Sequence, residues 1–532
     1  MHDQQSSQTI ADPQQGEEKP SLSVLPVEHD ATQLTDPHVL LAAMQQLRQE
    51  VAQESDEKYK QWQPTIQRPS FLLSSQNLAA YLALRQRDLR PLQAALIPWG
   101  LSSLGRGESR VLANLDAVIA TLAAIVQEDK AHVPEHPSLH TFFQGERQLN
   151  DNAAALFGQP TPSRRMRIMV TLPAEAAHDY GFVRDLLRRG MNCARINCAH
   201  DTPAQWEAMI ALIRRAELES GCICKILMDL GGPKARTGQV ELLEPKQRLH
   251  VGEHILLTPG TPVVSQHYPV QASCQIPDVL EQLQVGAEVW IDDGKLGTQV
   301  ESILPEGLLL RVTHAREKGE RLRADKGLNF PGTDLQLSPL TEKDRRDLDF
   351  IVQHADIVGY SFVQEAADID LLQQELSKRQ GELARPLALI AKIETPRAVH
   401  NLPELIVHAA GKQTLGVMIA RGDLAVEIGY ERLAEIQEEL LWVCEAAHVP
   451  VIWATQVLEN FVSKGTPSRA EMTDVAMSER AECVMLNKGP YVAEAVTILD
   501  HVLTRMQENQ MKKTPQLRAL HMWQQASTIK ER

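Results

Sequence analysis

The chain has 532 residues, a formal net charge of −15 and 43% apolar residues. This length exceeds one typical domain, and the composition is that of an ordinary globular protein. The negative charge argues against a general nucleic-acid-binding function. The sequence has no run of 18 or more apolar residues, and its amino terminus lacks the basic and apolar regions of a signal peptide. We therefore expect a cytoplasmic protein that has no membrane partner.

The amino-terminal part of the chain is predicted to be a polar tail followed by helices. Residues 1–36 are rich in Gln, Glu, Asp and Pro, which is typical of a disordered segment. Apolar residues at helical spacing predict three helices, near Pro37–Gln63, Ser75–Arg87 and Arg110–Gln127. We interpret residues 37–163 as a small helical domain whose last part, residues 131–163, is a linker.

From Arg165 onward, short apolar runs alternate with longer helical patterns. A short continuous apolar run is typical of a strand that is buried on both faces of a parallel sheet. The predicted strands are Met166–Leu172, Cys193–Asn197, Lys225–Leu230, Asp356–Phe362, Leu387–Glu394, Gly416–Ala420, Pro450–Thr455 and Cys483–Asn487. Eight strands separated by helices predict an α/β fold, either a (β/α)₈ TIM barrel or, on the pattern alone, a doubly wound open sheet.

The connection between the third and fourth predicted strands is about 125 residues long, far more than one crossover helix needs. It contains alternating patterns that predict strands at His254–Thr258, Glu288–Asp292, Thr298–Ile303 and Leu308–Val312. Asp293-Gly294 is a strong hairpin signal. We interpret residues 238–331 as a small all-β domain inserted into the barrel, where it acts as a lid. The barrel then comprises residues 164–237 and 332–508, and residues 509–532 form a carboxyl-terminal tail.

Charged and polar residues recur where the predicted strands end. These ends read ARINCAH (194–200), MDLGGPKARTG (228–238), AKIE (391–394), ARGD (420–423) and ATQ (454–456). In barrels and open α/β sheets, the carboxyl ends of the strands form the edge that carries the chemistry. For ARGD alone, an ordinary strand-to-helix turn with Asp423 as a helix cap explains the pattern equally well. Arg421 has two interpretations, either a substrate contact or an ion pair that orients the loop.

Two carboxylates and a lysine are predicted to meet at this edge. Lys392 and Glu394 are two residues apart, so on a strand they point the same way; a plain ion pair is the alternative. With Asp423 from the next strand, Glu394 makes a pair that suits a hard divalent cation such as Mg²⁺. Arg195, Lys392 and the amides around Gly422 would then surround an anionic group, an arrangement that suits phosphoryl transfer.

From about Arg165 to Met506 the sequence resembles the pyruvate kinase family. The matching motifs occur in the family's order: ARINCAH, MDLGGPKARTG, IDDG, KGLNFPG, LTEKD, SFV, AKIE, ARGDLAVE, ATQ and a residual SRAEMTDVA. The resemblance implies a (β/α)₈ barrel with a β-rich lid after the third strand. It also implies a glycolytic, Mg²⁺-dependent kinase, with Mn²⁺ as an alternative metal, that converts phosphoenolpyruvate and ADP to pyruvate and ATP. We further expect a homo-oligomer.

The resemblance implies a role for each matching residue. Lys392 would stabilise the phosphoryl group in transit, Arg195 would contact the phosphate, and Thr455 would lie near the enolate carbon that is protonated. Glu394 and Asp423 would be the Mg²⁺ ligands, and Asp423 would also hold the substrate. The nucleotide side would be formed by Arg236, His200 and Lys326. The backbone N–H of Gly422 would donate a hydrogen bond to the substrate.

The family's monovalent-cation site is altered in this sequence. Asn197 and Asp229 are kept, but the family's serine is Ala199, and Leu230 follows the aspartate. Lys234 stands where potassium-dependent members carry glutamate. This combination resembles members that do without potassium, since an ammonium group can supply the positive charge that the ion would bring. We therefore expect potassium-independent activity.

Other departures leave alternatives to the kinase open. Gly231 replaces the usual lysine, and Asn487–Pro490 replaces the usual Ser-Gly-Glu-Thr, with Lys488 as a candidate phosphate contact. The chain ends about 25 residues past the last predicted barrel helix, so we expect the family's carboxyl-terminal regulatory domain to be absent. The alternatives are a phosphoenolpyruvate-binding or regulatory homologue and a carbon–carbon lyase of the phosphoenolpyruvate/pyruvate barrel type. The lid and the AKIE/ARGD pairing favour the kinase over the lyase, and Thr455 favours it over the binding protein.

Overall fold

A computed structural model of the protein describes residues 35–129, 133–379 and 387–516. The predicted disordered tail lies almost wholly outside the described residues. Most of the predicted carboxyl-terminal tail also lies outside them. Its first residues form a short hairpin of two strands, Gln510–Met511 and Thr514–Pro515.

Eight parallel strands close into a barrel, as the apolar runs predict. In order around the barrel they are β1 (Arg167–Thr171), β2 (Cys193–Asn197), β3 (Lys225–Asp229), β11 (Ile357–Tyr360), β12 (Ala388–Ile393), β13 (Leu415–Ala420), β14 (Val451–Ala454) and β15 (Cys483–Leu486). The last strand pairs with the first, so the sheet has no free edge. The prediction of a (β/α)₈ barrel is confirmed, and the open sheet is excluded.

Helices surround the barrel and bury their apolar faces against the strands. They are α7 (Tyr180–Arg188), α8 (Pro203–Ser220), α9 (Glu342–His354), α10 (Ala366–Arg379), α11 (Pro396–His400), α12 (Leu402–Ala410), α13 (Arg421–Ile428), α14 (Tyr430–Ala446), α15 (Glu459–Lys464), α16 (Arg469–Ser478) and α17 (Val492–Met506). Helices α9 and α16 begin with capping boxes at Thr341 and Ser468, which satisfy their first backbone N–H groups. These caps fix where the chain leaves the carboxyl edge of the barrel.

The inserted segment forms a seven-stranded sheet with a core of its own. Its strands are β4 (Thr237–Leu242), β5 (His254–Thr258), β6 (Val270–Cys274), β7 (Glu288–Ile291), β8 (Leu296–Leu304), β9 (Gly307–His314) and β10 (Leu328–Asn329). Asp293 and Gly294 lie in the turn between β7 and β8, both with positive φ, as their sequence predicts. The sheet is the all-β lid that the sequence predicts.

The amino-terminal helices pack directly on the barrel. They are α1 (Pro37–Trp62), α2 (Leu72–Arg85), α3 (Arg90–Leu96), α4 (Val111–Val126), α5 (Leu139–Phe142) and α6 (Gln144–Phe157). Glu404 of α12 accepts hydrogen bonds from Lys58 Nζ at 2.7 Å and Trp62 Nε1 at 2.9 Å. The apolar core of the helices is continuous with that of the barrel.

The interpretation of residues 131–163 as a linker is wrong. Most of this segment forms α5 and α6, and α6 ends inside the mouth of the barrel opposite the lid. Leu156 and Phe157 are fully buried there among inward-facing strand residues such as Met169 and Ile390. A Cβ on Gly416 would lie only 2.5 Å from Leu156 Cδ2. The glycine in β13 therefore makes room for the helix that closes the barrel floor.

One helical stretch, Glu108–Val126, is long and apolar enough to cross a membrane by length and composition alone. The core helix of a globular protein passes the same test. Leu115, Ile119 and Leu122 of this stretch are fully buried in the helical core. Packing within the protein thus accounts for the apolar residues on the buried face of this stretch.

Candidate active site

A cavity of about 410 Å³ lies at the carboxyl ends of the barrel strands, beneath the lid. Ten of the twelve residues singled out from the sequence line it: Arg195, Asn197, His200, Lys234, Arg236, Lys326, Lys392, Glu394, Asp423 and Thr455. Asp229 and Gly422 lie just behind this lining and contact residues that belong to it. The structure therefore brings all of the predicted site residues to one place.

Asp229, fully buried at the end of β3, holds two cations in position. The Arg195 guanidinium donates to Asp229 Oδ2 through Nε at 2.8 Å and Nη2 at 2.5 Å. Lys392 Nζ lies 3.4 Å from the same oxygen. Burial alone would raise the pKa of Asp229, but these two cations outweigh it and hold the pKa below its ordinary value. Asp229 therefore remains a carboxylate that fixes Arg195 and Lys392 side by side.

Lys392 is also held by a group at the end of the neighbouring strand β11 and by one at the end of its own strand. Its Nζ donates to Ser361 Oγ at 2.7 Å and lies 3.2 Å from Glu394 Oε1. Burial lowers the pKa of Lys392, but Asp229 and Glu394 more than compensate and raise it above its ordinary value. The buried side chain is thus a fixed ammonium group at the base of the cavity.

Glu394 and Asp423 place two carboxylates on adjacent strand ends. Glu394 is 2% exposed, and its Oε2 accepts a hydrogen bond from the Phe362 N–H at 2.6 Å. Burial raises the pKa of Glu394; Lys392 opposes this shift, whereas the negative charge of Asp423 adds to it. Asp423 Oδ1 accepts a hydrogen bond from Lys234 Nζ at 2.6 Å. The two carboxylates repel each other, which makes the space between them favourable for a cation.

The Arg-Gly-Asp stretch after β13 is held by the neighbouring strand end. Arg421 pairs with Asp474, donates to the carbonyl oxygens of Ala454 at 3.1 Å and Thr455 at 2.6 Å, and is buried. It therefore orients the loop and does not line the cavity. The Gly422 N–H donates to Thr455 Oγ1 at 2.8 Å. Thr455 has a φ of 62°, which is uncommon for a β-branched residue. The surrounding contacts therefore hold the backbone of this turn in its conformation.

Basic side chains from the barrel and the lid face each other at the rim of the cavity. Lys326 of the lid lies 3.1 Å from Asp292, and Arg236 lies 3.7 Å from Asp325. Burial lowers the pKa of His200, and the positive charges of Lys488 and Arg236 lower it further. Each of these two basic side chains at the rim therefore lies beside an aspartate, and the lowered pKa of His200 favours its neutral form.

Comparisons with known proteins agree with this geometry. A family model described as "Pyruvate kinase, barrel domain" matches residues 163–496. Pyruvate kinase PKLR of Homo sapiens is 32% identical over 364 residues, which cover 66% of this chain and 61% of that protein. A pyruvate kinase of Agrobacterium vitis is 33% identical over 358 residues, covering 65% of this chain and 70% of that protein. The chain belongs to the pyruvate kinase family.

The likeness to the family extends to solved structures. A pyruvate kinase from Cryptosporidium parvum matches with a TM-score of 0.57 and 28% identity, over 67% of this chain and 70% of that one. The chain spans 61% of the length of the human and rat relatives. The matched family model begins at residue 163, so helices α1–α6 precede the part shared with the pyruvate kinase barrel.

Several residues that shape the pyruvate kinase cavity were not singled out from the sequence. Ser361 and the Phe362 N–H hold Lys392 and Glu394, and Thr171 Oγ1 accepts a hydrogen bond from Arg195 at 3.0 Å. The signal was present, because Thr171 and Ser361 also stand where strands end. Asn329, whose Nδ2 lies 3.4 Å from Asp423 Oδ1, comes from the lid; it stands in the KGLNFPG motif, but nothing in that motif pointed to its contact with Asp423.

Proposed function

We propose that the protein is a cytoplasmic pyruvate kinase that transfers a phosphoryl group from phosphoenolpyruvate to ADP, giving pyruvate and ATP. The observation that carries this proposal is the buried cluster in which Asp229 fixes Arg195 and Lys392 beneath the cavity. Phosphoryl transfer needs little covalent chemistry from the protein and depends on positioning and charge neutralisation. Two cations held in place before the substrate arrives meet that need.

The roles of the two cations follow from their positions. Arg195 presents a planar guanidinium that can bind phosphate oxygens with two parallel hydrogen bonds. Lys392, a compact point charge between Asp229 and Glu394, would accompany the phosphoryl group as it leaves the enolate oxygen. Because both charges are anchored on strands, little reorganisation is needed when negative charge develops on the phosphoryl oxygens.

The carboxylates of Glu394 and Asp423 fit a magnesium ion. They are hard oxygen donors on adjacent strand ends; burial raises the pKa of Glu394, the charge of Asp423 adds to this rise, and a bound cation would stabilise both carboxylates. No group of three or more His, Cys, Asp or Glu able to hold a metal occurs among the described residues. Mg²⁺ is commonly bound by one or two carboxylates together with substrate oxygens and water. When bound, Mg²⁺ or Mn²⁺ would neutralise phosphate charge and help to orient the substrate.

Thr455 would serve the enolate that remains after transfer. Its Oγ1 accepts the hydrogen bond from the Gly422 N–H, so the hydroxyl hydrogen is left to donate into the cavity. A hydroxyl at this position can pass a proton to the enolate carbon and so give pyruvate. On the opposite side lie His200, Arg236 and Lys326, where we place the ADP phosphates; these would compete with Asp325 and Asp292 for the two cations.

The proposed function is tested by measuring the turnover of a variant that lacks the ammonium group of Lys392. Wild-type protein is assayed with phosphoenolpyruvate, ADP and Mg²⁺, and pyruvate is detected with lactate dehydrogenase. Lys392→Met, which keeps most of the length of the side chain but not its charge, is expected to lower kcat by at least about 10³-fold. Lys318→Met changes an exposed lysine of the lid and serves as the matched control, with unchanged turnover.

The outcome separates the kinase from the alternatives. Rapid pyruvate formation by the wild type and the control, lost in Lys392→Met, supports the kinase. Equal rates near zero for all three proteins, with phosphoenolpyruvate binding still seen by calorimetry, would instead identify a phosphoenolpyruvate-binding homologue.

A further inference from the structure

A second cavity, of about 600 Å³, lies where the lid joins the barrel. The chain enters the lid through Pro233–Ala235 and returns through Leu328–Phe330, and both segments line this space. Lys234 and Phe362 line it on one side and the catalytic cavity on the other. We call this space the hinge cavity, since any rotation of the lid about its two connections changes its shape.

The hinge cavity is lined by both apolar and polar side chains, and the apolar groups contribute the larger part of its surface. Phe330, Leu335 and Leu337 contribute much of its lining. Arg397 also lines it, but its guanidinium is already bound, to Asp334 at 3.2 Å and to Glu365 at 2.6 Å. A cleft of several hundred Å³ that combines apolar walls with convergent polar groups is typical of a site for a small molecule.

Glu427 is a carboxylate of this cavity that forms no direct ion pair among the described residues. Its Oε1 accepts hydrogen bonds from Asn329 Nδ2 at 3.0 Å and from the Phe330 N–H at 3.3 Å. Among the described residues, Glu427 Oε2 has no hydrogen-bond partner, and no cation lies within ion-pair distance of the carboxylate. Burial raises the pKa of Glu427 and the negative charge of Asp423 adds to this, whereas the hydrogen bonds from Asn329 and Phe330 and the charge of Lys234 oppose it. A cationic group entering the cavity would supply a direct counter-ion.

We propose that the hinge cavity binds a small molecule that has an apolar body and a protonated amine, with the ammonium group paired to Glu427. The apolar body would lie against Phe330, Leu335 and Leu337. A phosphate or carboxylate ligand is disfavoured, since Glu427 would repel it and Arg397 is already paired with two carboxylates.

Occupancy of this site is coupled to the catalytic cavity through two side chains. Asn329 binds Glu427 and also lies 3.4 Å from Asp423 Oδ1. Lys234 lines the hinge cavity and donates to the same oxygen of Asp423. A ligand on Glu427 therefore holds both lid connections in one arrangement and acts as an effector of lid position.

Binding of phenethylamine tests the proposal without any measurement of catalysis. Calorimetry with the full chain is expected to show saturable binding of phenethylamine at millimolar concentrations. Glu427→Gln keeps an oxygen for Asn329 and Phe330 but removes the charge, and it is expected to weaken binding about tenfold or more. The neutral analogue of phenethylamine, 2-phenylethanol, is expected to bind weakly, and with equal affinity to the wild type and to Glu427→Gln. Leu335→Trp, which fills the cavity, is expected to abolish phenethylamine binding.

Hydrogen exchange locates the bound amine. Phenethylamine is expected to slow amide exchange in residues 232–237 and 327–332 of the wild type, because both lid connections become held. The proposal is overturned if the wild type shows no saturable binding, if Glu427→Gln binds with unchanged affinity, or if Leu335→Trp still binds. It is also overturned if protection appears elsewhere and not at the two connections.

Discussion

At the scale of single residues, the site depends on buried charges that hold one another in place. Asp229 lies behind the cavity and acts by fixing Arg195 and Lys392. Without the carboxylate, two adjacent buried cations would destabilise the folded protein, since removing one partner of a buried ion pair leaves the charge of the other uncompensated. The same logic applies to Lys234, which places an ammonium 2.6 Å from Asp423.

Lys234 leads to a prediction about monovalent cations. Because its ammonium is part of the site, we expect turnover in tetramethylammonium salts to change by less than about twofold as potassium is added. Lys234→Met removes this charge and is expected to lower turnover in tetramethylammonium by about tenfold. Lys318→Met is the control for loss of one positive charge. Strong activation of the wild type by potassium would show that Lys234 does not replace the ion.

Residue positions were predictable from the sequence where strand geometry alone determines them. Lys392 and Glu394 are two residues apart on one strand, and side chains two residues apart point to the same face of a sheet, so their convergence could be predicted. The contact between Lys234 and Asp423 joins residues 189 positions apart, and the one between Asn329 and Asp423 depends on where the lid rests. No local pattern encodes such contacts, which explains why Asn329 was missed and why the partner of Lys234 was not predicted.

At the scale of elements, helix α6 gives the barrel a floor. Leu156 is 1% exposed, and Leu156→Ala should leave a cavity that β13 cannot fill, since Gly416 has no side chain. We expect a loss of about 3 kcal/mol in the free energy of unfolding, measured by urea denaturation. Leu139→Ala, at a residue 77% exposed, is the matched control. KM values should not change in Leu156→Ala, because the floor is opposite the cavity; equal stabilities of the two variants would contradict this role.

His448 joins the helical part to the barrel and predicts a dependence of stability on pH. The carbonyl of Ser109 accepts a hydrogen bond from Nε2 at 3.0 Å, so Nδ1 accepts from the Ser74 hydroxyl at 2.9 Å. The buried ring is thus neutral, and burial lowers its pKa to about 4. The unfolded chain takes up this proton near pH 6.5, so the contribution is fully present above that pH and is lost as the pH falls toward 4.

The expected loss is large enough to measure by urea denaturation. At about pH 5 it amounts to about 2 kcal/mol relative to neutral pH. His448→Gln should remove this difference, while His136→Gln, at an exposed histidine, should retain it. If His448→Gln loses as much stability on acidification as the wild type, the pH dependence has another source.

The elements of the barrel were predictable because each strand is a continuous apolar run between helices. For residues 131–163 the composition, which is rich in His, Pro, Gln and Asn, led to the wrong prediction of a linker. Leu149, Ala153, Leu156 and Phe157 are nevertheless spaced for one helical face, and all are buried in α6. Their polar neighbours face outward, so composition averaged over the segment concealed an amphipathic helix.

At the scale of the whole molecule, the pyruvate kinase barrel and lid are combined with six helices that precede the matched family model. The lid was predictable from the length of one connection and its alternating pattern. How the helices pack was not predictable, since it depends on contacts such as Glu404 with Lys58 and Trp62. The predicted homo-oligomer remains a prediction, which light scattering on the full chain would test.

The most direct test of the central claim follows the phosphorus atom itself. Pyruvate also appears if phosphoenolpyruvate is merely hydrolysed, so its detection alone does not establish transfer to a nucleotide. Phosphorus NMR of phosphoenolpyruvate, ADP, Mg²⁺ and purified protein distinguishes the two fates. We expect the phosphoenolpyruvate signal to decrease as the γ-phosphate signal of ATP increases in equal amount, and neither to change with Lys392→Met. Release of inorganic phosphate without ATP, or an unchanged spectrum with the wild type, would contradict the proposed phosphoryl transfer.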